Sequence, residues 1–237
     1  MSVTVVLLAL IVVTLTSAIH GAVGFGMNLL AVPLLLILDP DLVPGPAVAV
    51  GLVLSVLVAV REPTPMDPEL GWAVAGLLPG TGAALLLLAT VSTEALTAPL
   101  GVVVLVAVLV SAVGLQISPH RATLGAAGVA SGFLATAGSI GGPPLALVYA
   151  HSDGSKLRAN LSGFFVVTAV ISLVALALAG HFGADELRLS LLLLPGAVLG
   201  FAISGPLRPW VDRGHTHSAV LILSALAGIG AIIKGTF

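Results

Sequence analysis

The 237-residue chain is 58% hydrophobic and only 8% charged, with a formal net charge of −2. A soluble domain carries about one quarter charged residues, so this composition excludes water as the main solvent and predicts an all-α integral membrane protein. The scattered basic residues leave no nucleic-acid footprint, and the absence of cysteine excludes disulfides and thiolate metal sites.

The first half of the chain, residues 1–117, has the pattern of a broken hydrophobic hairpin followed by three spans. No Lys or Arg precedes the hairpin, so we expect this segment to be retained rather than cleaved as a signal peptide. Crossing a hydrocarbon core of roughly 30 Å takes about 20 helical residues, so the short second arm must pair with the first. The hairpin covers 3–38 with an interruption at Gly21–Gly26, and the spans cover 43–60, 70–89 and 95–117.

The second half, residues 122–237, repeats this organisation at an offset of 115 or 116 residues. Phe25-Gly26 matches Ile140-Gly141, and Leu77 to Gly80 match Leu193 to Gly196, which indicates an internal duplication. The second hairpin covers 122–150 with an interruption at 137–144, and the spans cover 159–180, 187–203 and 218–233.

Each hairpin has both ends on one side of the membrane, so each half makes an odd number of crossings and the two repeats are predicted to be inverted. The basic residues favour this topology over one in which each hairpin is a single continuous span. With the hairpins counted as two passes, one side holds six Lys/Arg and the other two, which predicts both termini outside the cytoplasm. The six are Arg61, Arg121, Lys156, Arg158, Arg208 and Arg213, and the two are Arg188 and Lys234.

Inverted repeats with discontinuous helices are a recurrent plan of secondary transporters, with the substrate near the midplane. A helix that restarts after Gly26 or Gly142 leaves its first N–H groups unpaired and places about half a positive charge there, which favours a small anion. Asn28 and Ser139 offer further donors, or they satisfy freed backbone groups. The alternative is that the glycines only allow close helix packing.

Three further positions are candidates for function. His20 is an ionisable residue inside the apolar interior, so it is a candidate for proton coupling, or else a neutral imidazole bonded to a loop carbonyl. Arg61, and Arg158 with Asn160, flank the spans that follow the hairpins. They form a candidate cytoplasmic mouth for an anion, or they mark the membrane boundary by snorkelling.

Motifs for other functions are missing from the sequence. It contains no P-loop, GxSxG or HExxH motif, and the His215-Thr-His217 pair has no nearby Cys or carboxylate to complete a metal site. We therefore expect no cofactor and no enzymatic activity. The rival interpretations are an anion channel and a membrane-embedded enzyme.

The chain resembles the sulfite exporter TauE/SafE family, also called the 4-toluene sulfonate uptake permease family, over essentially its whole length. The resemblance is carried by Gly24-Phe-Gly26 with Leu30-Ala-Val-Pro33-Leu in the first half. In the second half it is carried by Ile140-Gly-Gly-Pro-Pro144-Leu and by Arg158-Ala-Asn160.

The resemblance implies export of small sulfur-containing or organic anions, such as sulfite, thiosulfate, sulfoacetate or sulfonates, across a bacterial inner membrane. The driving force would be a proton gradient or the membrane potential. Many members have three or four consecutive glycines in the first motif, whereas Met27-Asn28 interrupt that run here. The paired motifs place the substrate-binding site at Gly24, Gly26, Asn28, Ser139, Gly141, Gly142 and Pro143.

Overall fold

The structure is a computed structural model that describes residues 2–62, 64–90, 117–149, 152 and 154–211, with single positions at 102, 105, 106, 109 and 229. The predicted spans 95–117 and 218–233 lie outside the described residues, apart from a few of these positions, and so does the His215–His217 pair. Every regular element within the described ranges is a helix, which confirms the all-α prediction.

The first half begins with a long helix that is followed by a short one. These are α1 (Val3–Val23) and α2 (Met27–Leu38), and a 3-10 turn at Pro40–Leu42 leads into α3 (Gly45–Arg61) and α4 (Leu70–Thr90). Helix α2 has only 12 residues, about 18 Å, and does not cross a bilayer alone.

The second half repeats the order of long and short helices. It contains α5 (Arg121–Gly138), the seven-residue α6 (Gly142–Val148), α7 (Gly154–Leu178) and α8 (Ala184–Val211). Helices α7 and α8 begin before their apolar runs, and their first turns contain charged residues such as Lys156 and Asp185.

Five segments of the described chain are long and apolar enough to cross a membrane. They lie at Val3–Val23, Pro40–Arg61, Leu70–Thr90, Gly154–Leu178 and Ala184–Arg208.

Glycines bring two pairs of helices into backbone contact. In the α4–α5 pair, a Cβ atom at Gly128 would overlap the carbonyl oxygen of Ala73, and one at Gly80 would overlap that of Val129. In the α1–α8 pair, a Cβ atom at Gly200 would overlap the carbonyl oxygen of Thr14. Such small-residue contacts let membrane helices approach closely.

The helix pairing is symmetric between the two halves of the described chain. The first helix of each half packs against the fourth helix of the other half, as α1 with α8 and α5 with α4, while the third helices α3 and α7 pack against each other. Exchanging the two halves would leave this pattern unchanged. The broken ends of α1 and α5 therefore meet beside the central pair α3 and α7.

Candidate functional site

The first break, residues 24–26, turns the chain from α1 into α2. Gly24 and Gly26 both have positive φ angles, 99° and 104°, which side chains other than glycine rarely tolerate. The amide of Gly24 donates to the carbonyl of His20 and ends α1. Gly26 caps α2 without a side-chain hydrogen bond. The first amides of α2 are therefore left without capping side chains.

The second break, residues 139–141, turns the chain from α5 into α6. Ser139 has φ 60°, and its amide donates to the carbonyl of Ala135 at 2.8 Å. Its hydroxyl donates to the carbonyl of Pro44 at 2.8 Å and so attaches the break to the start of α3. A non-glycine residue with positive φ is costly unless its surroundings hold it, and this hydrogen bond does so.

Asn28 joins the two breaks. Its amide nitrogen Nδ2 donates to the carbonyl oxygen of Ser139 at 2.8 Å and to that of Ala47 at 3.5 Å. Its Oδ1 atom is buried and accepts no hydrogen bond within the described part of the chain. The side-chain donors of Asn28 and Ser139 therefore bond backbone carbonyls, and the carbonyl of Pro44 also accepts from the amide of Val48 in α3.

We predict that Asn28→Ala loosens the junction between the breaks and lowers the free energy of unfolding by about 1–3 kcal/mol. The reason is that the buried carbonyl of Ser139 loses its donor. Thermal unfolding of the detergent-purified protein measures the change. A melting temperature equal to that of the wild type would show that the bond carries no stability.

A cavity of about 70 Å³ lies between the two breaks. This exceeds several-fold the roughly 10–15 Å³ that one water needs, so the cavity has room for a small ligand. Its described lining contains no Lys, Arg, Asp or Glu. Six of the seven residues predicted to bind substrate line it: Gly26, Asn28, Ser139, Gly141, Gly142 and Pro143.

Gly24 is the predicted substrate residue that the structure places elsewhere. A Cβ atom there would come within 2.5 Å of Cγ of Arg158, so Gly24 provides space for an arginine rather than for a ligand. The space around Gly141 is tighter than that around Gly142. A Cβ atom at Gly141 would lie 2.7 Å from Cβ of Ala135, whereas one at Gly142 would meet Phe165 at an ordinary 3.4 Å.

The two breaks differ in the backbone donors they offer. Met27, Asn28 and Leu29 form the uncapped first turn of α2 and line the cavity. In α6, Pro143 and Pro144 follow Gly142 directly and carry no N–H group. The cavity therefore receives most of its helix N-terminal donors from α2.

One face of α7 completes the cavity, and sequence reasoning did not find it. Phe165, Thr168 and Ala169 line the cavity at i, i+3 and i+4 spacing. The ring of Phe165 meets the imidazole of His20 edge-on, with the ring centroids 6.1 Å apart. His20 also lines the cavity, is buried, and has no hydrogen-bond partner for Nε2 among the described residues.

The predicted mouth residues Arg61 and Arg158 lie outside the cavity, in an ionic group that we call the Glu62 cluster: Arg61, Glu62, Arg158 and Arg208. The Nε atom of Arg158 lies 3.3 Å from Oε1 of Glu62, and Arg208 donates to the same oxygen. Glu62 and Arg208 were not predicted as site residues. They lie 146 positions apart in sequence, so no local pattern pairs them.

Asn160 belongs to a different structural feature from the arginines. It is fully buried, and its Oδ1 accepts a hydrogen bond from the amide of Asp67 at 2.7 Å. This bond fastens the α3–α4 connection to α7. Asn160 therefore holds a loop, and its described hydrogen bond is separate from those of the Glu62 cluster.

Comparison with known proteins identifies the chain at the level of its family. The profile of the family described as sulfite exporter TauE/SafE matches residues 9–231. Curated proteins and solved structures give no match. Because the family match covers nearly the whole chain and five described segments can cross a membrane, this multi-pass membrane protein belongs to the sulfite exporter TauE/SafE family of membrane transporters.

Proposed function

We propose that the protein is a secondary carrier for small sulfur-containing or organic anions and that the cavity between the two breaks is its substrate site. The observation that carries this proposal is the uncapped N-terminus of α2, which faces a cavity built from both broken hairpins. Sulfite, thiosulfate, sulfoacetate and sulfonates are the substrate class that the family suggests.

The cavity suits an anion because its described lining offers hydrogen-bond donors and no carboxylate. The first-turn amides of α2 and the helix macrodipole contribute roughly 0.3–2 kcal/mol of attraction at such a terminus. Its mostly apolar walls include Phe25 and Phe165. In surroundings of low dielectric constant this attraction is stronger than in water. Because the described lining carries no full positive charge, the anion is held without being trapped.

Alternating access is supported by the symmetric packing, in which the first helix of each half contacts the fourth helix of the other half. Rocking of one repeat against the other around a fixed site is the usual consequence of inverted repeats. The proposal places both termini in the periplasm and the turn around Arg121 in the cytoplasm, in a bacterial inner membrane.

The variants Ser2→Cys and Ser118→Cys should label from opposite sides of the membrane. Both positions are exposed, and the chain has no native cysteine. We expect a membrane-impermeant maleimide to modify Cys-substituted position 2 in intact cells and position 118 only after the membrane is opened. Labelling of both positions from the same side would contradict the topology.

Proton coupling is proposed to pass through His20, because this buried imidazole lines the cavity and its Nε2 has no described partner. The variant His20→Gln keeps a hydrogen-bonding side chain but does not titrate near neutral pH. We expect its transport to lose the dependence on a pH gradient while saturable binding remains. Wild-type pH dependence in this variant would remove His20 from the coupling pathway.

Counterflow in proteoliposomes tests the carrier function and separates it from an anion channel. Vesicles loaded with unlabelled sulfite should transiently accumulate labelled sulfite above equilibrium, with saturable rates. The reason is that a carrier exchanges internal unlabelled sulfite for external labelled sulfite. A channel gives no such accumulation.

Thermal-shift screening against thiosulfate, sulfoacetate, taurine and carboxylate analogues then defines the preferred anion, since a ligand that binds the folded state stabilises it. Stabilisation by none of these compounds would contradict an anion site.

A further inference from the structure

The cavity between the breaks contains a hydrogen-bond acceptor that the described part of the protein does not use. Asn28 is the second residue of α2 and lines the cavity. Its Oδ1 atom is buried and accepts no hydrogen bond from the described residues. A buried polar atom without a partner is destabilising, so a ligand that donates a hydrogen bond to this oxygen gains binding energy.

The orientation of the Asn28 amide follows from its neighbours. Its Nδ2 atom donates to the carbonyl oxygen of Ser139 at 2.8 Å and to that of Ala47 at 3.5 Å. Turning the amide over would place Oδ1 against two other acceptors, which repel it. The oxygen is therefore the end of the amide that remains available to a ligand.

The same residue also belongs to the backbone donors proposed for the substrate. The amide of Asn28 lies in the uncapped first turn of α2, next to that of Leu29. An anion that accepts from these amides lies beside the Asn28 side chain, because the two groups share one residue. A fully deprotonated oxyanion then presents only acceptor oxygens to Oδ1, whereas an anion with an O–H group presents a donor.

The volume of the cavity favours small anions. Its roughly 70 Å³ corresponds to about five to seven water molecules at 10–15 Å³ each. Hydrogensulfite has only four non-hydrogen atoms. It combines a single negative charge, shared by two oxygens, with one O–H group. It therefore fits the space and offers both an acceptor for the amides of α2 and a donor for Oδ1.

We propose that Oδ1 of Asn28 selects a monoanion that carries its own O–H group, and that hydrogensulfite is the form of sulfite that binds. The hydroxyl of the ligand donates to Oδ1 while its anionic oxygens accept from the first-turn amides of α2. The sulfite dianion lacks this donor and binds less well. This inference rests on the proposed function and names the protonation state of its substrate.

The test compares two anions of equal charge and similar size. Methanesulfinate has the sulfur and the two charged oxygens of hydrogensulfite, but a methyl group replaces the O–H group. Calorimetry measures the binding of each to the wild-type protein, under nitrogen and at one mildly acidic pH at which hydrogensulfite prevails over sulfite. We expect hydrogensulfite to bind at least roughly tenfold more tightly, because the methyl group leaves Oδ1 unpaired. Equal affinities would overturn the proposal.

The variant Asn28→Ala removes the acceptor and should abolish this preference. A purely structural loss would weaken both anions alike and leave the ratio of their affinities unchanged. The matched control is Thr168→Val, which also removes a polar group from the cavity lining and whose hydroxyl already donates to the carbonyl of Phe164. It should keep the wild-type preference. A preference that survives Asn28→Ala, or one that disappears in Thr168→Val, would assign the acceptor elsewhere and overturn the role of Asn28.

The wild-type comparison decides the proposal even if Asn28→Ala does not fold. The variant Ala169→Leu separates this inference from the proposed function, because it fills the cavity that Ala169 lines and should abolish binding of both anions. If Ala169→Leu binds both like the wild type, the cavity is not the site and both proposals fail. If the wild type binds both anions equally and Ala169→Leu binds neither, the cavity remains the site and only the selection by Asn28 fails.

Discussion

The substitution Ala169→Leu is expected to reduce sulfite counterflow by more than about a hundredfold, equivalent to about 2.7 kcal/mol. Ala169 lines the cavity on α7, and leucine adds three carbon atoms to a space of about 70 Å³. The larger side chain excludes the ligand from the first turn of α2. Initial rates in proteoliposomes with equal protein content measure the effect.

The matched control is Ala177→Leu, which makes the same change two turns further along α7. Ala177 is exposed at the outer surface of the helix bundle, where an extra apolar side chain meets lipid. We expect the Ala177→Leu variant to show wild-type counterflow. The Ala177→Leu and Ala169→Leu variants should have similar melting temperatures. Full activity in Ala169→Leu would show that the anion does not pass through the cavity.

The second large effect is expected from Gly128→Ala, which should lower the free energy of unfolding by more than about 3 kcal/mol or prevent folding. The added Cβ atom would overlap the carbonyl oxygen of Ala73, a backbone atom that moves only if α4 and α5 separate. Thermal unfolding and size-exclusion chromatography measure the loss.

Gly125→Ala on the same helix is the control for Gly128→Ala. A Cβ atom at Gly125 would come no closer than 4.0 Å to the carbonyl oxygen of Trp72. Alanine there should be neutral or should stabilise α5 by roughly 0.5–1 kcal/mol through its higher helix propensity. Equal stability of Gly125→Ala and Gly128→Ala would contradict the close contact between α4 and α5.

The sequence located both breaks because glycine and proline act locally, but the breaks are shorter than predicted, 24–26 and 139–141 instead of 21–26 and 137–144. Gly24 and Gly26 adopt the positive φ angles that interrupt a helix, and Pro143 begins the restarting α6. These preferences belong to single residues and need no knowledge of packing. The positions of six candidate residues around one cavity followed from the two breaks meeting in space.

The contribution of α7 was not predicted, although Thr168 and Ser172 give this helix buried hydroxyls four residues apart. A hydroxyl on a membrane helix does not by itself mark a cavity, since it often bonds its own backbone, as Thr168 does with the carbonyl of Phe164. The rotation of α7 depends on its packing against α3, which is a tertiary property. Hydrophobic periodicity therefore gives the presence of α7 but not its orientation.

The Glu62 cluster was missed for a related reason. Charges at the ends of spans were interpreted as markers of the membrane boundary, which hides their pairing. Glu62 receives hydrogen bonds from Arg158 and Arg208, which lie 96 and 146 positions away in sequence. Only the assembled bundle brings these residues together.

The most direct test of the anion site is to locate a bound anion that contains a heavy atom. Selenite has the shape and charge of sulfite, and in protein with ordinary methionine its selenium gives the anomalous signal in a crystal. We predict one peak in the cavity, with an oxygen within about 3.2 Å of the amide nitrogen of Asn28 or Leu29. A protein that transports selenite but shows no peak there, or a peak only at the Glu62 cluster, would contradict the proposed site.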